Sequence, residues 1–439
     1  MKPKVAIIGA GCSGITAIKN LVQAGVQDIV CFEQNDQVGG NWIFSAKESH
    51  SSVCETTHII SSKHLSEYMD FPMPDDYPDY PSHRQVLAYF QAYAKHFDLE
   101  RFIRFNTTVS KVEKQAENQW EITLKDGNKE SFDYLLIANG HHSVPRHPQL
   151  PGDFSGQYLH AHNYKTNQPF AGKRVLVIGG GNSGCDCAVE TSRVAEKVCI
   201  SMRSPQYIIP KFMLGKPTDT FNSTMQWIPS LIADPLRRLS LKIQIGKYED
   251  YGLETPPFKV TKSHPTLNSE LLYKIRHGNV IPKKGIKKIE GPTVTFQDGS
   301  QEDFDVIIAA TGYKIALPFF AKQFLNYEDA ERIELYHRMF HAEHQNLIFI
   351  GLVQPQGAVW PLSDLQSKLA GNYIMGRYQL PKNIAALAKK EADQIAKDFT
   401  AAKRHAVEVH YHPFVRQLKK AIPANAPEWQ SQLLSIEKS

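Results

Sequence analysis

Val5-Ala6-Ile7-Ile8-Gly9-Ala10-Gly11-Cys12-Ser13-Gly14 runs an apolar strand into a G-x-G-x-x-G turn. Val175-Leu176-Val177-Ile178-Gly179-Gly180-Gly181-Asn182-Ser183-Gly184 does the same about 170 residues later. In each, the first glycine (Gly9, Gly179) permits a tight turn and the second (Gly11, Gly181) lets backbone approach a pyrophosphate. The third (Gly14, Gly184) lets the following helix pack closely on its strand, with its first N–H groups facing the phosphates. One such turn is a weak signal. Two in one chain predict two dinucleotide sites, and two bound dinucleotides imply electrons passing between them.

The surroundings of the first turn agree with this reading. Ala17 to Leu21 continue a helical pattern, Gly25 ends it, and Ile29-Val30-Cys31-Phe32-Glu33 reads as the next strand. Glu33 lies 19 residues past Gly14, where a carboxylate accepts hydrogen bonds from ribose hydroxyls. The second turn differs at the matching place. Lys197-Val198-Cys199-Ile200-Ser201-Met202-Arg203-Ser204 ends in a cation and a hydroxyl with no acid. A carboxylate there would repel a 2′-phosphate, whereas Arg203 binds one bidentately with Ser204 beside it. The second nucleotide is therefore expected to be NADPH.

Composition narrows the class. The 439 residues suffice for two or three domains, and 42% hydrophobic with 22% charged residues is an ordinary globular balance. A net charge of +5 without long Lys/Arg clusters gives no nucleic-acid surface. The six cysteines (Cys12, Cys31, Cys54, Cys185, Cys187, Cys199) fall mostly within expected strands and turns, which is no disulfide framework and suits a reducing cytoplasm. The N-terminus enters a strand directly, so no signal peptide is expected, and no run of about 18 apolar residues predicts a membrane span.

The chain reads as α/β, with two dinucleotide-binding, Rossmann-like domains. Val38-Gly39-Gly40-Asn41-Trp42 offers close backbone and an aromatic wall, as a flat isoalloxazine needs. A helix is expected from Ser82 to 97, and Asn106–Val112 and Trp120–Leu124 read as paired strands with a turn at Asp126-Gly127. Asp305 to Tyr313 repeats the apolar strand and glycine turn of Phe132 to Gly140, which predicts that C-terminal residues complete the first domain. The expected division is residues 1–170 (FAD, first part), 171–275 (NADPH) and 276–439 (FAD, completion). Met225 to Ile245, with Trp227, Ile228, Leu231, Ile232, Leu236, Leu239 and Leu241, reads as an amphipathic packing or dimer-contact helix, and a homodimer is plausible.

Phe154-Ser155-Gly156-Gln157-Tyr158-Leu159-His160-Ala161-His162-Asn163-Tyr164-Lys165 matches F-x-G-x-x-x-H-x-x-x-(Y/F)-(K/R). With the two glycine turns and Ala310-Thr311-Gly312-Tyr313, nearly the whole chain resembles a class B flavin-containing monooxygenase. Gly140-His141-His142 and Gly351-Leu352-Val353-Gln354-Pro355-Gln356-Gly357 resemble further family stretches. The resemblance implies FAD and NADPH as cofactors, a C4a-hydroperoxyflavin, and oxygenation of an amine nitrogen or sulfide sulfur with O2. Tyr164-Lys165 resembles the N- and S-oxygenating branch more than the Baeyer-Villiger branch, whose ketone chemistry is the alternative. The resemblance places flavin contacts at Gly9, Gly11, Ser13, Gly14, Glu33, Gly40, Asn41, Trp42, Val109 and Gln354. It places nicotinamide-nucleotide contacts at Gly179, Gly181, Ser183, Gly184, Arg203 and Ser204, with Asn182 near the reacting centre. His160 and His162 are implied to link the two domains.

One position departs from the family pattern. Ile59-Ile60-Ser61-Ser62-Lys63-His64 matches a stretch that usually carries Asn where this chain has Ile60. Ile60 cannot hydrogen-bond, so Ser61 or Asn182 would have to serve, and an uncoupled NADPH oxidase or flavin redox sensor becomes a further alternative. Cys185-Asp186-Cys187 lacks the spacing of a redox pair, since residues two apart on a helix point to different sides. His337, His341 and His344, and His405, His410 and His412, lie close in sequence, but no Cys or carboxylate pattern completes a metal site.

Overall fold

The computed structural model describes residues 2–47, 49–224, 228, 230–262, 264, 266–399 and 406–428. Two mostly parallel sheets organise the mixed α/β fold. The first has seven strands, in the order Leu335–Tyr336, Phe340–His341, Leu347–Phe349, Tyr134–Ile137, Lys4–Ile8, Asp28–Phe32 and Ile103–Arg104. Its five strands from Leu347–Phe349 to Ile103–Arg104 are parallel, with Val5 opposite Tyr134 and Ile8 opposite Phe32. Val5, Ala6 and Ile7 are wholly buried, as strands covered on both faces must be. Each such Val or Ile contributes about 1.5–3 kcal/mol by leaving water.

The helix Cys12–Ala24 follows the first strand and stops at Gly25, whose φ of 94° lets its N–H reach the Leu21 and Val22 carbonyls. The helix Trp360–Ile374 lies against it. They approach closely because Gly371 has no side chain: a Cβ there would sit 2.8 Å from the Ala24 Cβ and 3.0 Å from the Asn20 carbonyl oxygen. Lys19, 2% exposed, pairs between them with Asp364 at 3.0 Å and with Asp70. Burial works against its charge, but the two carboxylates outweigh it and hold the ammonium above its usual range.

The second sheet orders five parallel strands as Gln157–His160, Val306–Ala309, Arg174–Ile178, Lys197–Ser201 and Ile281–Lys283. The strand Val306–Ala309, expected to complete the first domain, therefore lies in the second sheet. Its likeness to Tyr134–Ile137 is positional. Each follows a hairpin and stands beside the strand that carries a glycine turn. The C-terminal completion of the first sheet comes from residues 335–349 instead.

Smaller elements follow local chemistry. Ser82 caps the helix His83–His96 in a reciprocal box with Gln85. Val109–Lys114, Trp120–Leu124 and Lys129–Phe132 form an antiparallel three-stranded sheet around the Asp126-Gly127 turn. The expected amphipathic helix runs Ser230–Ile245; Met225 and Trp227 lie outside the described residues. Leu241 is buried, but Ile232, Leu236, Leu239 and Ile243 are exposed, so packing accounts for only part of its apolar pattern.

Candidate functional site

Both glycine turns sit at the C-terminal ends of parallel strands, where open α/β sheets bind ligands. Gly9 has φ of +99° and a Cβ there would come 2.8 Å from the Ala138 carbonyl oxygen. A Cβ on Gly14 would sit 1.8 Å from the Gly9 carbonyl oxygen, which only glycine avoids. Gly11 starts the helix, and its missing Cβ would lie 3.5 Å from the Gly40 Cα. The expected Gly39-Gly40 turn is thus brought to the first glycine turn. Glu33 is 3% exposed; its Oε2 accepts the Ala10 N–H at 2.7 Å and its Oε1 the Asn35 N–H at 2.9 Å. This acid is locked onto the turn.

Other residues expected on the flavin side are placed nearby in varied roles. The Ser13 hydroxyl lies 3.0 Å from that of Ser363 and under Gly351, where a Cβ would come within 2.0 Å of it. Asn41 Oδ1 accepts the Ser52 N–H at 2.8 Å, and Trp42 meets Trp360 edge-on at 5.7 Å. Val109 and Gln354 are half-buried, on strands facing Leu124 and Glu408. Ile60 is half-buried and the Ser61 hydroxyl is 2.7 Å from that of Ser66. The Ser62 N–H donates to Asp219 at 2.5 Å, tying this stretch to the helix Thr218–Thr224.

The second turn repeats the steric logic. Gly179 has φ of +114° with the Ala310 carbonyl oxygen 2.4 Å from its missing Cβ, and a Cβ on Gly184 would sit 2.0 Å from the Gly179 oxygen. A Cβ on Gly181 would meet nothing within 4 Å, so the space a phosphate would need is open. Ser183 is exposed in the first turn of the helix Asn182–Thr191, and Asn182 Oδ1 accepts the Leu267 N–H at 2.8 Å. Arg203 and Ser204 stand exposed just past Lys197–Ser201, and among the described residues no carboxylate pairs with Arg203. Cys185 and Cys187 are buried, and burial pushes both thiols well up, so neither is a reactive thiolate. Asp186 is raised to about 6 by burial, against the pull of Lys211 and a 2.8 Å bond from Asn268.

The motif at residues 154–165 spans the two halves. His160 ends a strand of the second sheet. His162 Nε2 then reaches the Ser49 carbonyl at 2.7 Å, and Lys165 Nζ donates to the Ser51 carbonyl at 2.6 Å. Two connecting segments cross beside it, Val144–Pro145 pairing with Tyr313–Lys314. His142 and Tyr313, ring centroids 5.2 Å apart, face His160, 5.5 Å from Tyr313. Burial lowers His160 and His142 to about 4, so both are neutral imidazoles. His142 nonetheless keeps an accessible face. Nothing in the sequence signals that the His142, His160 and Tyr313 rings meet; its signal there is the likeness of Gly140-His141-His142, residues 154–165 and Ala310-Thr311-Gly312-Tyr313 to family stretches.

Among the described residues no group of three or more His, Cys, Asp or Glu side chains could hold a metal ion. His341 and His344 stack on one another, His337 lies against Glu391, and His405 is outside the described residues. No helix is long and apolar enough to cross a membrane among the residues described.

A model of the flavin-binding monooxygenase-like family matches residues 2–436. The chain belongs to that family. It is 36% identical over 441 residues to flavin-containing monooxygenase 5 of Homo sapiens, covering 95% of this chain and 82% of that protein. It is 34% identical to the N-oxide-forming dimethylaniline monooxygenase 2 of Oryctolagus cuniculus, over 90% of this chain and 78% of the relative. Its fold resembles the S-allyl-L-cysteine S-oxygenase of Allium sativum, with a TM-score of 0.73 at 22% identity over 99% and 92% of the two chains. It also resembles an open form of cyclohexanone monooxygenase, with a TM-score of 0.70 at 18% identity over 95% and 97%. This family member is a flavoprotein and an enzyme, an oxidoreductase of the monooxygenase kind, acting with O2 on a small-molecule substrate.

Proposed function

We propose that the protein is an FAD-dependent, NADPH-consuming monooxygenase that oxygenates soft nucleophiles, an amine nitrogen or a sulfide sulfur. The observation that carries this reading is the pair of glycine turns on two sheets, bridged by His162 and Lys165. The same observation supports two nucleotide-binding domains, each built on one sheet. The space left by Gly181 and the steric closure at Gly14 and Gly184 fit pyrophosphates lying on backbone.

FAD, when bound, supplies the two-electron and oxygen chemistry. The chain's residues bind, orient and exclude water. Gly9, Gly11 and Gly14 would place the first pyrophosphate on the N-terminus of Cys12–Ala24, and Glu33 would take its ribose. Gly40, Asn41, Trp42, Val109 and Gln354 would border the flavin. Gly179, Gly181, Ser183 and Gly184 would hold the second pyrophosphate, with Arg203 and Ser204 on a 2′-phosphate. His142 and His160, being neutral, would stand beside Tyr313 without adding a cation.

A second reading, an uncoupled oxidase that releases peroxide, draws on one feature. Ile60 offers no hydrogen bond, the Ser61 hydroxyl is engaged with Ser66, and the Asn182 amide oxygen is held by Leu267. Purified enzyme given NADPH with a thioether, a tertiary amine or a ketone separates these possibilities. Sulfoxide or N-oxide formed in step with NADPH use supports the main reading. Ester formed from the ketone alone would establish Baeyer-Villiger chemistry, and stoichiometric peroxide without product would establish the oxidase.

A further inference from the structure

Residues 264 and 266–268 touch both nucleotide regions. Thr266 Oγ1 donates to the Gly180 carbonyl at 2.9 Å, the Leu267 N–H to Asn182 Oδ1 at 2.8 Å, and Asn268 Nδ2 to Asp186 Oδ1 at 2.8 Å. Three successive residues thus grip the middle of the second glycine turn and the first five residues of its helix. The grip is rigid. Thr266 is 2% and Asn268 6% exposed. The Thr266 and Asn268 N–H groups donate to the Tyr207 and Ile209 carbonyls at 3.0 and 2.9 Å. Asn268 Oδ1 accepts the Glu270 and Leu271 N–H groups at 2.9 and 2.7 Å, so its amide orientation is set from both ends.

The other end reaches the flavin side. His264 Nδ1 lies 3.4 Å from Glu408 Oε2. Glu408 is wholly buried, and among the described residues neither of its carboxylate oxygens receives a hydrogen bond. It stands opposite Gln354 in the strand pair Gln354–Pro355 and Glu408–Val409, whose next residue, Gln356, donates to the Thr261 carbonyl at 3.0 Å. The His264 ring faces this buried carboxylate, and a buried acid left without a polar neighbour is costly, so the contact ties the two segments together.

We propose that residues 264 and 266–268 act as a positioning strap: Thr266–Asn268 shape the second nucleotide turn, and the His264–Glu408 pair sets that turn against the flavin-side strand pair. The inference rests on the reading that NADPH occupies the second turn. It separates two effects. Loosening the grip distorts the turn and weakens nucleotide binding. Loosening the anchor leaves the turn intact but misplaces it relative to the flavin, and a displacement of about 1 Å can cost on the order of 100-fold in rate.

The test uses flavin-loaded full-length protein. NADP+ affinity is measured by calorimetry, and anaerobic flavin reduction at saturating NADPH by rapid mixing. Thr266→Val is expected to weaken NADP+ about 10-fold, the loss of one buried hydrogen bond that leaves the Gly180 carbonyl only its 3.5 Å contact with the Cys185 thiol. His264→Asn and Glu408→Gln are expected to keep NADP+ affinity within about twofold while slowing reduction at least about 10-fold, with the double variant no slower than either single one. Unchanged reduction in anchor variants that retain flavin and NADP+ would overturn the proposal, as would parallel losses of affinity and rate in all variants. If the anchor variants do not fold, unchanged NADP+ affinity in Thr266→Val overturns it. Wild-type protein that binds no NADP+ would instead refute the reading of the second turn itself.

Discussion

The two glycine turns share a motif and differ in everything around it. The first is sealed. Glu33 is bonded to Ala10, Ser13 is wedged between Ser363 and Gly351, and Lys19, on the helix that follows, is buried between Asp70 and Asp364. The second is open. Gly181 faces empty space and Arg203 and Ser204 are exposed, with the turn held from behind by Thr266, Leu267 and Asn268. A turn built into the core suits a cofactor that stays; a turn braced on one side and open on the other suits one that exchanges. On the proposed reading the motif holds phosphate, and the surroundings govern how long the ligand remains.

Glycine substitutions should break the comparison most sharply. Gly14→Ala forces a backbone shift against the Gly9 carbonyl and should yield protein without flavin, as read by absorbance. Gly184→Ala makes the same clash in the second turn and should yield flavin-loaded protein that binds no NADP+. Equal flavin loss in both would erase the distinction. Arg203→Ala comes next. A charge-assisted contact contributes about 1.5–3 kcal/mol, so the KM for NADPH should rise about 10- to 100-fold with little change for NADH. Equal effects on both nucleotides would refute phosphate recognition.

Asp186 sharpens the comparison at the level of stability. Its folded-state value lies above the unfolded one, so its contribution is present at low pH and is lost as pH rises through about 6. Thermal melts should show stability falling between about pH 4 and 6 by about 3 kcal/mol, and Asp186→Asn should flatten that fall. A slope unchanged in the variant would assign it to another group. The smallest expected effect is at Ile60. Ile60→Asn supplies the missing amide and should cut the peroxide released per NADPH by about half, the scale of one modest hydrogen bond. Unaltered peroxide would show that this position does not govern coupling.

Local chemistry made much of this legible. Both turns, the Gly25 stop, the Ser82 helix start and the Asp126-Gly127 hairpin follow from residue type and spacing over a few positions. What failed depended on distant partners. Val306–Ala309 reads the same in either sheet, because an apolar strand with a glycine turn carries no address. The periodicity of Ser230–Ile245 marks a helix but not which face is covered, and Ile232, Leu236, Leu239 and Ile243 remain uncovered. Glu408 offered one faint hint, an acid within Ala406-Val407-Glu408-Val409, but its partner His264 comes from a far part of the chain.

The claim that electrons pass from the second turn to the first is tested most directly by anaerobic titration of flavin-loaded protein with NADPH, following flavin absorbance in wild type and Gly184→Ala. One equivalent should bleach the wild-type flavin while the variant, still yellow, stays oxidised. Equal bleaching in both proteins would contradict the account, since NADPH would then be reaching the flavin without the second turn.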